Sequence, residues 1–126
     1  MNRDRFKFRA WDQRLKKIVY PDVLTHSINL GLFIQKAFDF TTGDFYYPFD
    51  SDLILMQSTG LKDSEGTLIY EGDVIEINYC SKHYTVVFRG IGFWFVDEED
   101  DGFVFVTPTY FIKVIGNIYE NPSLKH

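Results

Sequence analysis

The first polar–apolar pattern in the chain has a period of two. Arg3, Arg5, Lys7 and Arg9 alternate with Phe6, Phe8 and Ala10. A helix would mix these sets, whereas a strand holds them on opposite faces. The spacing predicts a half-buried strand, with Phe6, Phe8 and Trp11 as core residues. Residues 11–14 read as a turn and 16–20 as a returning strand halted by Pro21-Asp22, together a β-hairpin. Residues 22–50 are ambiguous: Ile28, Leu30 and Leu32 keep strand spacing, while 30–40 also fits a short helix with Phe33, Ala37 and Phe40 on one side. Periodicity alone does not separate the two. Thr41-Thr42-Gly43-Asp44 is a turn signal, and Pro48 confines the aromatic run 45–49 to an edge strand or loop.

From residue 51 the punctuation is regular. Leu53–Met56 reads as a short buried strand, 63–66 as a turn with glycine where a positive φ is wanted, and Glu71-Gly72-Asp73 as the turn opening a strand at 74–79. Strands at 84–88, 92–96, 103–107 and 113–118 follow. Five short strands over about 50 residues predict a small barrel or sandwich. The fold class is therefore mainly β (β-rich α+β), within a single domain 1–126. Its N-terminal β-hairpin region covers 1–50, its barrel part covers 51–122, and residues 123–126 fray.

Composition sharpens this picture. Among 126 residues, 23 are aromatic, including 13 Phe and 8 Tyr, side chains that fit a pleated, half-buried surface better than a helix. Cys80 is the one cysteine, so no disulfide framework forms and a reducing cytoplasm is expected. The basic start lacks a signal-peptide core, and no apolar run approaches the ~20 residues of a membrane span. The net charge of −5 is unevenly spread: residues 1–17 carry seven basic and two acidic side chains, the rest six basic and sixteen acidic. Opposed blocks of +5 and −10 suit a chain that packs against its own body or a second copy better than one that binds nucleic acid.

Three strings stand out: Lys7-Phe8-Arg9-Ala10-Trp11-Asp12 at the start, Leu55–Asp63 with Gly66 and Ile69-Tyr70-Glu71-Gly72-Asp73-Val74 in the centre, and Val114–Pro122 at the end. Together they resemble one family, the YopX proteins of bacteriophages and prophages. The resemblance implies a phage-encoded cytoplasmic protein whose C-terminal part is an SH3-like small barrel, and it brings no activity or catalytic residue. Tyr-Glu-Gly-Asp-Val resembles the turn entering the first strand of such barrels. There glycine permits a tight approach and Asp73 bonds nearby amides. Thr59-Gly60-Leu61 and Gly116-Asn117 also read as turn chemistry, so the motifs are architectural.

No constellation for chemistry is visible. His26, His83 and His126 have no metal-ligand spacing, and no metal or cofactor is expected. Cys80 and His83 lack a third group to orient them, and Gly90-Ile91-Gly92 has no third glycine. Asp97–Asp101 with Gly102 imitates the start of a calcium loop, but position twelve is Pro108, so a solvated hairpin tip is the simpler reading. The expectation is a non-enzymatic phage or prophage accessory protein that binds a host or phage protein or itself, as a homo-oligomer. The alternative is nucleic-acid binding through Arg3, Arg5, Lys7 and Arg9, against which the acidic body stands.

Overall fold

The computed structural model describes residues 8–27, 31–49, 52–77, 82–90, 92–97, 102–105 and 111–125. The chain divides into two compact units, Met1–Gln57 and Ser58–His126. Both are antiparallel and β-built, as the mainly-β expectation required.

In the first unit, β1 (Phe8–Asp12), β2 (Lys17–Ser27), β3 (Gly31–Asp39) and β4 (Asp44–Tyr46) pair in sequence. The first half of β5 (Leu53–Lys62) lies on the other side of β1, with Ala10 opposite Leu55. Residues 31–39 are strand, which resolves the strand–helix ambiguity there. β2 runs through Pro21, and its register against β3 slips between Pro21 and Leu24. A residue with no N–H to give is tolerated at such an irregularity. One face packs Ala10, Val19 and Ala37 with Tyr46, Leu53 and Leu55. The other carries a row across the strands, Met56 opposite Arg9 on β1, then Tyr20 opposite Phe38 opposite Phe45.

The second half of β5 continues into the second unit and pairs with β6 (Leu68–Tyr70). Its register breaks between Ser58 and Lys62 around Gly60, at φ 79°. Thr59-Gly60-Leu61 is thus a bulge within a strand, held by Gly60 N–H to Ser58 Oγ (2.9 Å) and Leu61 N–H to Thr59 Oγ1 (3.1 Å). β7 (Asp73–Ile77), β8 (His83–Arg89), β9 (Gly92–Asp97), β10 (Gly102–Phe105) and β11 (Ile112–Asn117) form a five-stranded sheet in the order β10-β9-β8-β7-β11. That order is compatible with a small SH3-like barrel. Ile69, Ile75, Ile77, Val86, Phe95 and Ile112 make its core. A 3-10 turn, Pro122–Lys125, follows β11.

Candidate interaction surfaces

Four turns share one chemistry. Asp12 ends β1, its Oδ1 accepts the Arg14 and Leu15 amides (2.9 and 3.0 Å), and its carbonyl accepts Lys16 N–H (2.7 Å). Asp39 ends β3 in the same way, with Oδ1 accepting Thr41 N–H (2.9 Å) and its carbonyl accepting Gly43 N–H (2.8 Å). Asp63 accepts the Glu65 and Thr67 amides, and Asn117 those of Tyr119 and Glu120. A short side-chain oxygen that reaches amides two to four residues on fixes the reversal locally. All four are buried. In the fifth turn, Asp73 Oδ2 accepts Tyr70 N–H (2.8 Å) and Gly72, at φ 87°, donates to the Val86 carbonyl (2.8 Å).

The first pair of turns aims the β3–β4 hairpin. Lys17 Nζ bridges Asp39 Oδ2 (2.8 Å) and Thr41 Oγ1 (2.9 Å). Burial raises the Asp39 pKa, but the Lys17 and Thr41 hydrogen bonds outweigh it and leave the carboxyl below its ordinary value. Tyr46 donates its hydroxyl to Asp12 Oδ2 (2.7 Å). Burial, with that bond and the Asp12 charge, pushes the phenol well above the usual tyrosine range.

What this scaffold holds at its free edge is aromatic. Phe38 stacks edge-on against Phe40 (4.7 Å between centroids) and Phe45 (4.8 Å), and Tyr20 against Phe40 (5.1 Å). The row is buried at Tyr20 and Phe38 and emerges at Phe45, over whose ring the Lys36 ammonium lies at 4.5 Å. Beyond the edge strand β4, Tyr47 and Phe49 are 77% and 72% exposed. Pro48 marks the strand's end, as its lack of an N–H requires. The aromatic run is legible in the sequence; its presentation to solvent is not.

A second feature lies in the second unit. Ser64, Glu65, Glu76, Phe111 and Lys113 line an open groove of about 270 Å³. Glu76 sits mid-row on β7, in register with His83 on β8 and Lys113 on β11. His83 Nε2 is 3.9 Å from Glu76, and Lys113 Nζ is 3.9 Å from Glu65. No sequence signal marks this site, because only strand pairing joins its three chain segments.

The residues singled out from sequence fall elsewhere. Arg3, Arg5 and Lys7 lie outside the described residues, as do Phe6, Cys80 and His126. Arg9 is buried on β1 rather than on an open cationic face, and Phe8 and Trp11 are half-buried rather than core. In the acidic run, Asp97 is buried and paired with Lys82 Nζ (2.6 Å), so it is no part of a solvated tip; residues 98–101 lie outside the described residues. Among the described residues no three His, Cys, Asp or Glu side chains converge as metal ligands, and no helix is long and apolar enough to cross a membrane.

The family model described as YopX protein matches residues 7–125. No curated protein matches. Among solved structures, protein yopX from Bacillus subtilis is similar with a TM-score of 0.64 at 25% identity, over 93% of this chain and 95% of that one. Protein EF1440 from Enterococcus faecalis is similar with a TM-score of 0.60 at 22% identity, over 95% and 97%.

Proposed function

This chain belongs to the YopX family, and we propose that it is a non-enzymatic interaction module of phage or prophage origin that self-associates in the bacterial cytoplasm through the aromatic edge of its first unit. The exposure of Tyr47 and Phe49 beside the half-emerged Phe45 carries this reading. Rings of this size each bury on the order of 150–250 Å², so covering Tyr47 or Phe49 is worth about 3 kcal/mol. Aromatic side chains are favoured at interface centres, and a second copy offers the same edge for a two-fold contact of ring against ring. β4 is three residues long and Pro48 follows closely, so side chains rather than added strand pairing hold such a contact.

Size-exclusion chromatography with light scattering tests the reading at about 50 µM protein, since self-association is concentration-dependent. The parent should run above its 14.8 kDa monomer mass, and a Tyr47→Ser, Phe49→Ser double variant should return to it. A monomeric parent rejects self-association.

A further inference from the structure

We infer that the groove of the second unit is a docking site for a cationic peptide segment, taking an arginine side chain between the Glu76 carboxylate and the Phe111 ring. At about 270 Å³ the groove is at the low end for small-molecule pockets and fits a side chain better than a cofactor. On β7, Ile75 and Ile77 turn into the core, which leaves Glu76 facing the groove with a third of its side chain exposed. The Lys113 ammonium beside Glu65 and the His83 imidazole beside Glu76 each stand 3.9 Å away, longer than the roughly 2.7–2.9 Å of a charge-assisted hydrogen bond. A guanidinium can reach that shorter distance and bind bidentately. Phe111, 41% exposed, lines the same groove, and an aromatic ring attracts a guanidinium, which stacks on it where a simple ammonium does so less well.

Charge and rigidity favour the same occupant. Residues 58–126 carry five Lys and Arg against eleven Asp and Glu, a formal −6, while residues 1–57 carry eight against seven, a formal +1. The field of the second unit therefore gathers cations. The groove wall is already fixed: Ser64 donates both N–H (2.8 Å) and Oγ–H (2.9 Å) to the Ile112 carbonyl, and Asp63 holds the amides of Glu65, Thr67 and Val114. Binding therefore costs little loop-ordering entropy.

The test uses a fluorescein-labelled peptide with one arginine between two leucines, and matched peptides with lysine, norleucine or glutamate in its place, titrated by anisotropy. The arginine peptide should bind saturably, the lysine peptide more weakly, and the norleucine and glutamate peptides weakest. Glu76→Gln and Phe111→Ala should each weaken arginine-peptide binding about fivefold, the loss expected for one charge-assisted or stacking contact. Asp44→Asn, the same charge change at an exposed site of the first unit, should leave it unchanged. Lys113→Glu, at a half-exposed position, should tighten it, which keeps the proposal testable if either groove variant unfolds. Thermal melts control for folding, and none of these changes should alter the mass seen by light scattering, so this test is independent of the aromatic edge. Equal binding of the norleucine peptide, equal loss with Asp44→Asn, or no saturation by about 1 mM, where binding is only ~4 kcal/mol, overturns the proposal.

Discussion

Replacing Asp63 by alanine should destabilise the second unit by about 3–4 kcal/mol, at the large end for one substitution. The carboxylate is 8% exposed and spans two elements. Oδ1 accepts Glu65 N–H (2.9 Å) and Thr67 N–H (2.8 Å) within its own turn, and Oδ2 accepts Val114 N–H (3.0 Å) on β11. A hydrogen bond to a charged group contributes about 1.5–3 kcal/mol. Glu65 and Thr67 are exposed, so water takes over their amides, and we discount those two bonds to roughly 0.5–1 kcal/mol each. The Val114 amide lies on a strand whose other side is paired with β7, and it keeps about 2 kcal/mol. With a urea slope of about 1.5–2 kcal/mol per molar, the midpoint should fall by roughly 2 M.

Asp63→Asn separates the two parts of this sum. Its amide oxygen can keep the Glu65 and Thr67 bonds, but its NH2 then faces the Val114 N–H, donor against donor. It should cost about 2 kcal/mol, close to the inter-element share. Amide exchange read by heteronuclear NMR locates the effect: in the asparagine variant Val114 should lose protection while Glu65 and Thr67 retain theirs. An alanine variant within about 1 kcal/mol of the parent, inside the range of ordinary surface changes, would refute the reasoning, as would unchanged protection at Val114.

Two further outcomes concern pH. Asp39 has a folded pKa below its unfolded value near 3.9, so its contribution is present above that value and is lost as pH falls through the folded pKa. Acid unfolding should accordingly begin below about pH 4, and Lys17→Met should flatten that limb of a stability–pH curve measured by urea midpoints. Tyr46 has a folded pKa raised far above its unfolded value, so its contribution holds below about pH 10 and declines above it. Tyr46→Phe should flatten the alkaline limb, and an unchanged alkaline limb would contradict the Tyr46–Asp12 bond.

How much of the fold is legible in the sequence depends on which face a residue serves. The β1–β2 hairpin announces itself by alternation, yet the turn occupies 13–16 rather than 11–14. Asp12 is both the last residue of β1 and the head of the turn, and one letter cannot show both roles. Residues 31–39 resist assignment because Ala37, Phe38 and Asp39 are buried in succession. A strand covered on both faces loses its period of two. Arg9 misleads for the same reason: its face of the sheet carries the Tyr20–Phe38 aromatic row, so a charge alternating with phenylalanines is not a charge in solvent. The motifs of the centre and end read as turn chemistry, and Asp63, Gly72, Asp73 and Asn117 hold turns, because Asx and glycine signals are local.

The same turns change what the charge count means. Asp12, Asp39, Asp63, Asp73 and Asp97 are all buried, answered by backbone amides or by the ammonium groups of Lys17 and Lys82. Where the partner is an ammonium the charges cancel, and Lys17 of the +5 block already neutralises Asp39 of the −10 block within one copy. Arg9, on the basic side of the tally, is buried too. A self-contact held by opposed charge blocks would therefore be feeble, since exposed ion pairs contribute only about 0–1 kcal/mol each and salt screens them. Rings such as Tyr47 and Phe49 gain from burial at any ionic strength. The proposed self-association should thus persist when salt rises from about 0.05 to 1 M, where the screening length falls to roughly 3 Å. Dissociation over that range would return the adhesive role to charge and remove it from the aromatic edge.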